Sequence, residues 1–248
     1  MARDFNGTTQ DAINAGTPVT AVPITIACWF NSDSVTADQA LVSIQDTAGG
    51  DRFLLLANGT GAGDPVMAQS RTSGVSRSAL STTGFTTGTW YHACGVFATS
   101  TSRTAYIDGG SAGSNALSST PASIAEIALA SINSASTWLN GRLAEVGVWN
   151  VALNASEVAA LAGRVSPLRI RTGSLKIYVP MFGVGSPERD YIGGYHMTLN
   201  NTPAQSAHYG VQPPFGYDYG WRGAFTAAAA PSGWAHLLGD RRNRLVYA

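Results

Sequence analysis

Residues 140–164, NGRLAEVGVWNVALNASEVAALAGR, change their hydrophobic period in mid-run. From Gly141 to Asn150 the chain alternates. Leu143, Glu145, Gly147 and Trp149 fall on one side, and Ala144, Val146 and Val148 on the other. Both sets are largely apolar, the pattern of a strand covered on both faces. The residues that follow repeat with a helical period. Asn154 suits a helix N-cap, and Glu157 three residues on completes a capping box, in which each side chain accepts from the other residue's backbone N–H. Val158 and Leu161 share one face, and Gly163 suits the stop. The spacing predicts one short helix near 155–162, placed to plug an open edge or end of a β structure.

Elsewhere the signal is short strands between turn residues. PITIACWF (23–30) alternates. ALVSIQD (40–46) and DRFLLLANG (51–59) flank TAGG, a hairpin connection. Strands are expected around PVMAQS and SRSALS. TWYHACGVF (89–97) sets His92, Cys94 and Val96 against Tyr91, Ala93 and Phe97. In SRTAYIDGGSAGSNA (102–116), Asp108-Gly109 suits a tight hairpin turn, because both residues tolerate positive φ. IAEIALASI (124–132) reads as a strand, with an amphipathic helix the alternative. A further strand is expected at Leu175–Val179, and a turn with a short strand in ERDYIGGYHMTLNNT (188–202).

Two organisational units follow: a β domain over 1–203, and an extended Gly-, Pro- and aromatic-rich arm over 204–248. In the arm, Phe215, Tyr217, Tyr219, Trp221, Phe225 and Trp234 would be costly to leave in water, so the arm is expected to dock on an apolar surface.

Charged residues make up only 12% of the 248, against a usual share of about 25%. Net charge is zero and Lys176 is the only lysine, so no general pull toward nucleic acid is expected. No window approaches the ~18 apolar residues of a membrane-spanning helix, and MARDFNG lacks the apolar region of a secretory signal. Cys28 and Cys94 lie in apolar strands and read as buried free thiols, with a cross-strand disulfide the alternative. No Cys/His cluster suits zinc.

Several stretches resemble the stand-alone laminin G-like domains of the concanavalin A-like jelly-roll group. They are RDFNGTTQDAI, ITIACWF, TWYHACGVF with RTAYIDGG, NGRLAEVGVWNVALNASEVAAL, and SLKIYVPMFG with RDYIGGYHMTLNN, in that order over residues 3 to 202. Asn6 stands where the group has Asp, and Ala12 where an aromatic is common. The resemblance implies an all-β, antiparallel two-sheet jelly-roll sandwich.

Such domains include glycosidases, lectins and structural proteins, so function must be argued from residues. Retaining glycosidases of this kind need two carboxylates about 5 Å apart, from alternate positions of one strand. The only Glu are Glu126, Glu145, Glu157 and Glu188. Glu188-Arg189-Asp190 is the only Glu-x-Asp, and it reads as a surface turn. No Gly-x-Ser-x-Gly elbow supports a Ser hydrolase. His92 reads as a structural histidine bonded to neighbouring backbone. His196, His208 and His236 carry no signal. A non-enzymatic protein is expected. No cofactor is expected either; calcium, held by some relatives, cannot be assigned to Asp11, Asp33, Asp46 or Asp51 from spacing alone.

Among Trp29, Trp90, Trp138 and Trp149, strand tryptophans belong to the core by default. Trp138, in STWLNG, departs from that pattern and with Asn140 is the candidate sugar-binding pair. The lack of a signal, the extracellular character of the resemblance and the docking arm together point to a virion decoration protein. It would be assembled in the host cytoplasm, attached to capsid or other virion proteins or oligomerised through its arm, and able to adhere to cell-surface glycan. The alternative is a free carbohydrate-binding module or lectin.

Overall fold

The computed structural model describes residues 1–48 and 50–208. The arm residues Phe215, Tyr217, Tyr219, Trp221, Phe225 and Trp234 lie outside them. In chain order the strands are β1 (Ala2–Asn6), β2 (Asp11–Asn14), β3 (Ile24–Ser32), β4 (Asp38–Gln45), β5 (Arg52–Asn58), β6 (Pro65–Thr72), β7 (Val75–Gly84), β8 (Trp90–Thr99), β9 (Ser102–Ile107), β10 (Gly110–Asn115), β11 (Glu126–Leu129) and β12 (Asn140–Trp149). Helix α1 (Ala155–Ala162) follows, then a 3-10 turn at Pro167–Arg169, β13 (Leu175–Val179), β14 (Thr198–Asn200) and β15 (Ala204–Ser206).

Two antiparallel sheets form a sandwich. The eight-stranded sheet runs β10–β9–β8–β3–β12–β1–β15, with β13 also paired to β12. The seven-stranded sheet runs β14–β2–β11–β4–β5–β6–β7. Alternation along the strands fills the space between them: Ile24, Ile26, Cys28 and Phe30 of β3 face Leu55, Phe53 and Ala68 of the other sheet within one cluster. The sheets meet along a seam between β7 and β10, where Gly113 lies so close to the Leu80 carbonyl that any Cβ would collide with it. At the opposite edge, β15 pairs with β1, so residues 204–206 are part of the sheet rather than of the arm.

β12 departs from strict alternation. Ala144 pairs with Trp29 and Gly147 with Ala27, so Glu145 and Val146 share one position opposite Cys28, a β-bulge. Glu145 has φ 54, which an L residue adopts only under constraint. The bulge lies where β12 exchanges one neighbour for another: Leu143 pairs with Arg3 of β1, and Val146 with Val179 of β13. The phase therefore slips by one. Leu143 joins Val146 and Val148 in the main core, not Trp149 as alternation predicts.

Trp149 points out of the sandwich and its ring lies across Gly147, where a Cβ would stand 2.6 Å from the indole. Its Nε1 donates to the Ile170 carbonyl at 2.8 Å. With Ala27, Cys94 and Val96 it makes an apolar patch on the outer face of the eight-stranded sheet, and Val158 and Leu161 of α1 cover it. The helix thus caps a sheet face, not an edge or end. What needed cover there was hydrocarbon, worth about 1.5–3 kcal/mol per buried aliphatic side chain, rather than open hydrogen-bonding groups. The capping box is present, with Asn154 and Glu157 exchanging bonds of 3.0 and 2.9 Å. The chain reverses one residue later than glycine placement suggests. Arg164 takes the left-handed φ of 67, and Val165 N–H bonds back to the Ala160 carbonyl.

The faces of β8 are as expected, and Asp108 (φ 48) with Gly109 (φ 74) turns the β9–β10 hairpin. Cys28 lies in the main core and Cys94 beneath α1, so both are free buried thiols on opposite faces. Burial pushes both thiols up.

Glu188 and Asp190 correct the reading of that segment as a surface turn. Both are buried. Glu188 accepts from Arg3 Nε at 2.5 Å, while Arg3 also donates to the carbonyls of Pro203 and Gly183. Asp190 accepts the backbone N–H groups of Tyr178, Ile192, Gly193 and Tyr195. These two carboxylates tie the β13–β14 connection to β1 and β13. Breaking a buried pair leaves an uncompensated charge. Arg3→Met is therefore expected to cost about 3–5 kcal/mol in urea unfolding, and Arg3→Met/Glu188→Leu to recover part of that loss. An equal loss in both variants would contradict the pairing.

Candidate functional site

The end of the sandwich where β12 begins is a rim of connections locked to one another. Gln39 Oε1 accepts from Asn140 N–H at 2.9 Å while its Nε2 donates to Ser32 Oγ at 2.7 Å. Ala40 N–H bonds the Thr137 carbonyl, Gly7 N–H that of Leu139, and Asp33 N–H that of Asn140. The connection between β11 and β12 carries positive φ at Ala130, Asn133, Ser134 and Thr137. Four left-handed non-glycine residues in so short a stretch hold only because those bonds overdetermine it.

That connection presents the predicted pair. Leu139 is fully buried, Trp138 before it is half-buried and Asn140 after it is exposed, so the extended backbone sends both outward together. Beside them runs a cross-strand row that spacing alone could not assemble, Asp4–Arg142–Asn31–Trp90, in register across β1, β12, β3 and β8. Arg142 reaches Asp33 at 3.0 Å, Asn31 at 3.3 Å and Asp4 at 3.5 Å. The rim therefore offers an aromatic ring, an exposed amide and a partly exposed ion-pair row, all on rigid backbone.

The other tryptophans are placed differently. Trp149 is core. Trp29 and Trp90 are half-buried on the outer face, and His208 packs against them with ring centroids 6.0 and 4.4 Å away. Contrary to the expectation from the sequence, the His92 ring is not bonded to neighbouring backbone; it meets Trp29 edge-on, and its Nδ1 is buried with no partner. The bond at that position joins the backbone N–H of His92 to the Asp108 carboxylate. Burial holds His92 down at about 3, hence neutral at ordinary pH.

A small cavity lies next to His92 on the same outer face. Ala27, Trp29 and His92 form its floor, Leu161, Val165 and Pro167 its roof, and Glu145 one wall. It has about 10 Å3 of room, one water's worth. Glu145 Oε2 accepts from the Tyr178 hydroxyl at 2.5 Å. Burial pushes the Glu145 carboxyl up to about 7, against the pull of that hydrogen bond and of the chain's amino terminus. The site can hold a proton but cannot admit a sugar ring. The sequence reading missed it, because only the bulge turns Glu145 toward this space.

Several other carboxylates among the described residues are committed to structure. Glu126 accepts from Gln45, and Glu157 serves the helix cap. Asp11 holds Ser131 and Asn200, Asp46 the N–H groups of Gly50 and Asp51, and Asp51 those of Ser73 and Ala122. Among the described residues no three His, Cys, Asp or Glu side chains group as metal ligands. No helix among them is long and apolar enough to cross a membrane.

The architecture matches solved structures at low sequence identity. A Bacteroides ovatus protein whose assigned role, not yet established, is carbohydrate binding aligns over 82% of this chain and 61% of its own length, at 17% identity and a TM-score of 0.57. This chain thus spans less than two thirds of that protein. Domain 4 of the extracellular arabinanase AbnA from Geobacillus stearothermophilus, solved with arabinotriose, aligns over 65% of this chain and 76% of its own, at 20% identity and 0.55. The heptameric SAP-like pentraxin of Limulus polyphemus aligns over 80% and 94%, at 11% identity and 0.52. No curated protein matches the sequence. Residues 6–159, more than half the chain, match the family model described as the concanavalin A-like lectin/glucanases superfamily. The two-sheet sandwich agrees with that match, and the chain belongs to that superfamily, as a laminin G-like domain.

Proposed function

We propose that the protein is a non-catalytic carbohydrate-binding module whose ligand seats on the rim at Trp138 and Asn140. The observation that carries this reading is the pinned backbone. Trp138 and Asn140 point outward from a connection with four left-handed residues, so ring and amide are held in place before a ligand arrives. A tryptophan face packs against the C–H face of a sugar, while the amide and the Asp4–Arg142–Asp33 row supply hydrogen bonds. The carbohydrate association of the Bacteroides and Geobacillus proteins of the same fold supports the reading. So does the commitment of the described Glu side chains to structural partners or to a cavity too small for substrate. The Limulus relative is a heptamer, and multivalent display of a weak site is the corresponding proposal here.

Trp138→Ala is expected to weaken binding to a glycan selected on an array by about tenfold, a loss of about 1.4 kcal/mol, and Asn140→Ala by several-fold, measured by calorimetry. Unchanged affinity in Trp138→Ala would overturn the rim site.

The role on a virion, with capsid partners and attachment through the arm, rests on the aromatic run from Phe215 to Trp234 in the sequence. Because β15 belongs to the sheet, the test is truncation after His208, which leaves the sandwich whole. Loss of particle incorporation by the truncated chain is the expected result; unchanged incorporation would remove the virion reading.

A further inference from the structure

The cavity beside Glu145 makes sense as a device. Its wall holds one carboxyl, whose side-chain donor is the Tyr178 hydroxyl. Across from it stands His92, 2% exposed, with Nδ1 unpartnered. Everything else around the space is ring or hydrocarbon. The roof belongs to the segment 151–170, which docks on the sheet mainly through Leu153, Val158, Leu161 and the Trp149–Ile170 bond. An ionised carboxylate needs more than one donor, and the nearest further supply is water entering beneath that roof.

We infer that Glu145 is a proton-operated latch: protonated, it lets the segment 151–170 stay docked on the outer face of the eight-stranded sheet, and ionised, it draws water into the cavity and loosens that segment. The groups that act on it are Tyr178 from β13 and the amino terminus ahead of β1, and His92 from β8 shares the cavity. The roof residues that line the cavity are not ionisable. Arg164 and Arg169 flank them, and Arg164 acts on His208. His92 stays neutral over the working range, so Glu145 is the group that changes charge.

The sign follows from burial. Glu145 titrates higher in the folded chain than the ordinary 4.5 of the unfolded one, reaching about 7. The penalty is therefore absent below the unfolded value, grows between the two values, and is complete above the folded one.

Hydrogen–deuterium exchange of the full chain, corrected for intrinsic rates, tests this at about pH 5.5 and about pH 8. Peptides covering 151–170 are expected to lose protection at least tenfold at the higher pH, while β4–β6 peptides do not. Glu145→Gln, which still accepts from Tyr178, should abolish the difference. Tyr178→Phe keeps the ring and removes the donor, so it should move the midpoint of the loss to higher pH. No loss in the native chain, the same loss in Glu145→Gln, or an unmoved midpoint in Tyr178→Phe would each overturn the latch.

Discussion

β12 is hydrogen-bonded on both edges and buried on both faces. One edge pairs with β3; the other is shared end to end by β1 and β13. A single strand that serves three neighbours cannot keep one register throughout. The bulge at Glu145–Val146 absorbs the mismatch, and much of the outer face follows from it. It restores Val146 and Val148 to the core, aims Glu145 at the outer face, and sets Trp149 where only a helix laid flat can cover it.

With few charges to spend, the chain uses buried ones as ties. Arg3 and Glu188, 185 residues apart, join β1 to the connection after β13. Asp190 gathers four backbone N–H groups of that same stretch. At the rim, Gln39 does comparable work with an uncharged amide. Rigid connections of this kind suit recognition, because little order has to be bought when a ligand binds.

Much of this was legible beforehand for a physical reason. Apolar runs bounded by turn residues and a tight Asp-Gly turn are local signals, so β3, β5, β8 and the Asp108–Gly109 hairpin could be read directly. The capping box at Asn154 is equally local. What could not be read depends on distant partners. Nothing near Glu188 or Asp190 tells that Arg3 neutralises one and that backbone N–H groups surround the other. The bulge was invisible because Leu143, Ala144 and Val146 are all apolar and either phase satisfies the pattern. Trp138 stood apart from the strand tryptophans in the sequence, whereas the Asp4–Arg142–Asn31–Trp90 row exists only once four strands are in register.

The superfamily supplies a sandwich on which binding and catalysis have both been built, so the functional account rests on where this chain exposes rigid polar and aromatic groups. The most direct measurement is an amide chemical-shift map of the labelled protein titrated with oligosaccharides drawn from an array. The account predicts shifts confined to residues 137–142, Asp33 and the β1–β2 turn. Shifts centred on the outer face of the seven-stranded sheet, around Gln45 and Gln69, or none with any saccharide, would contradict it.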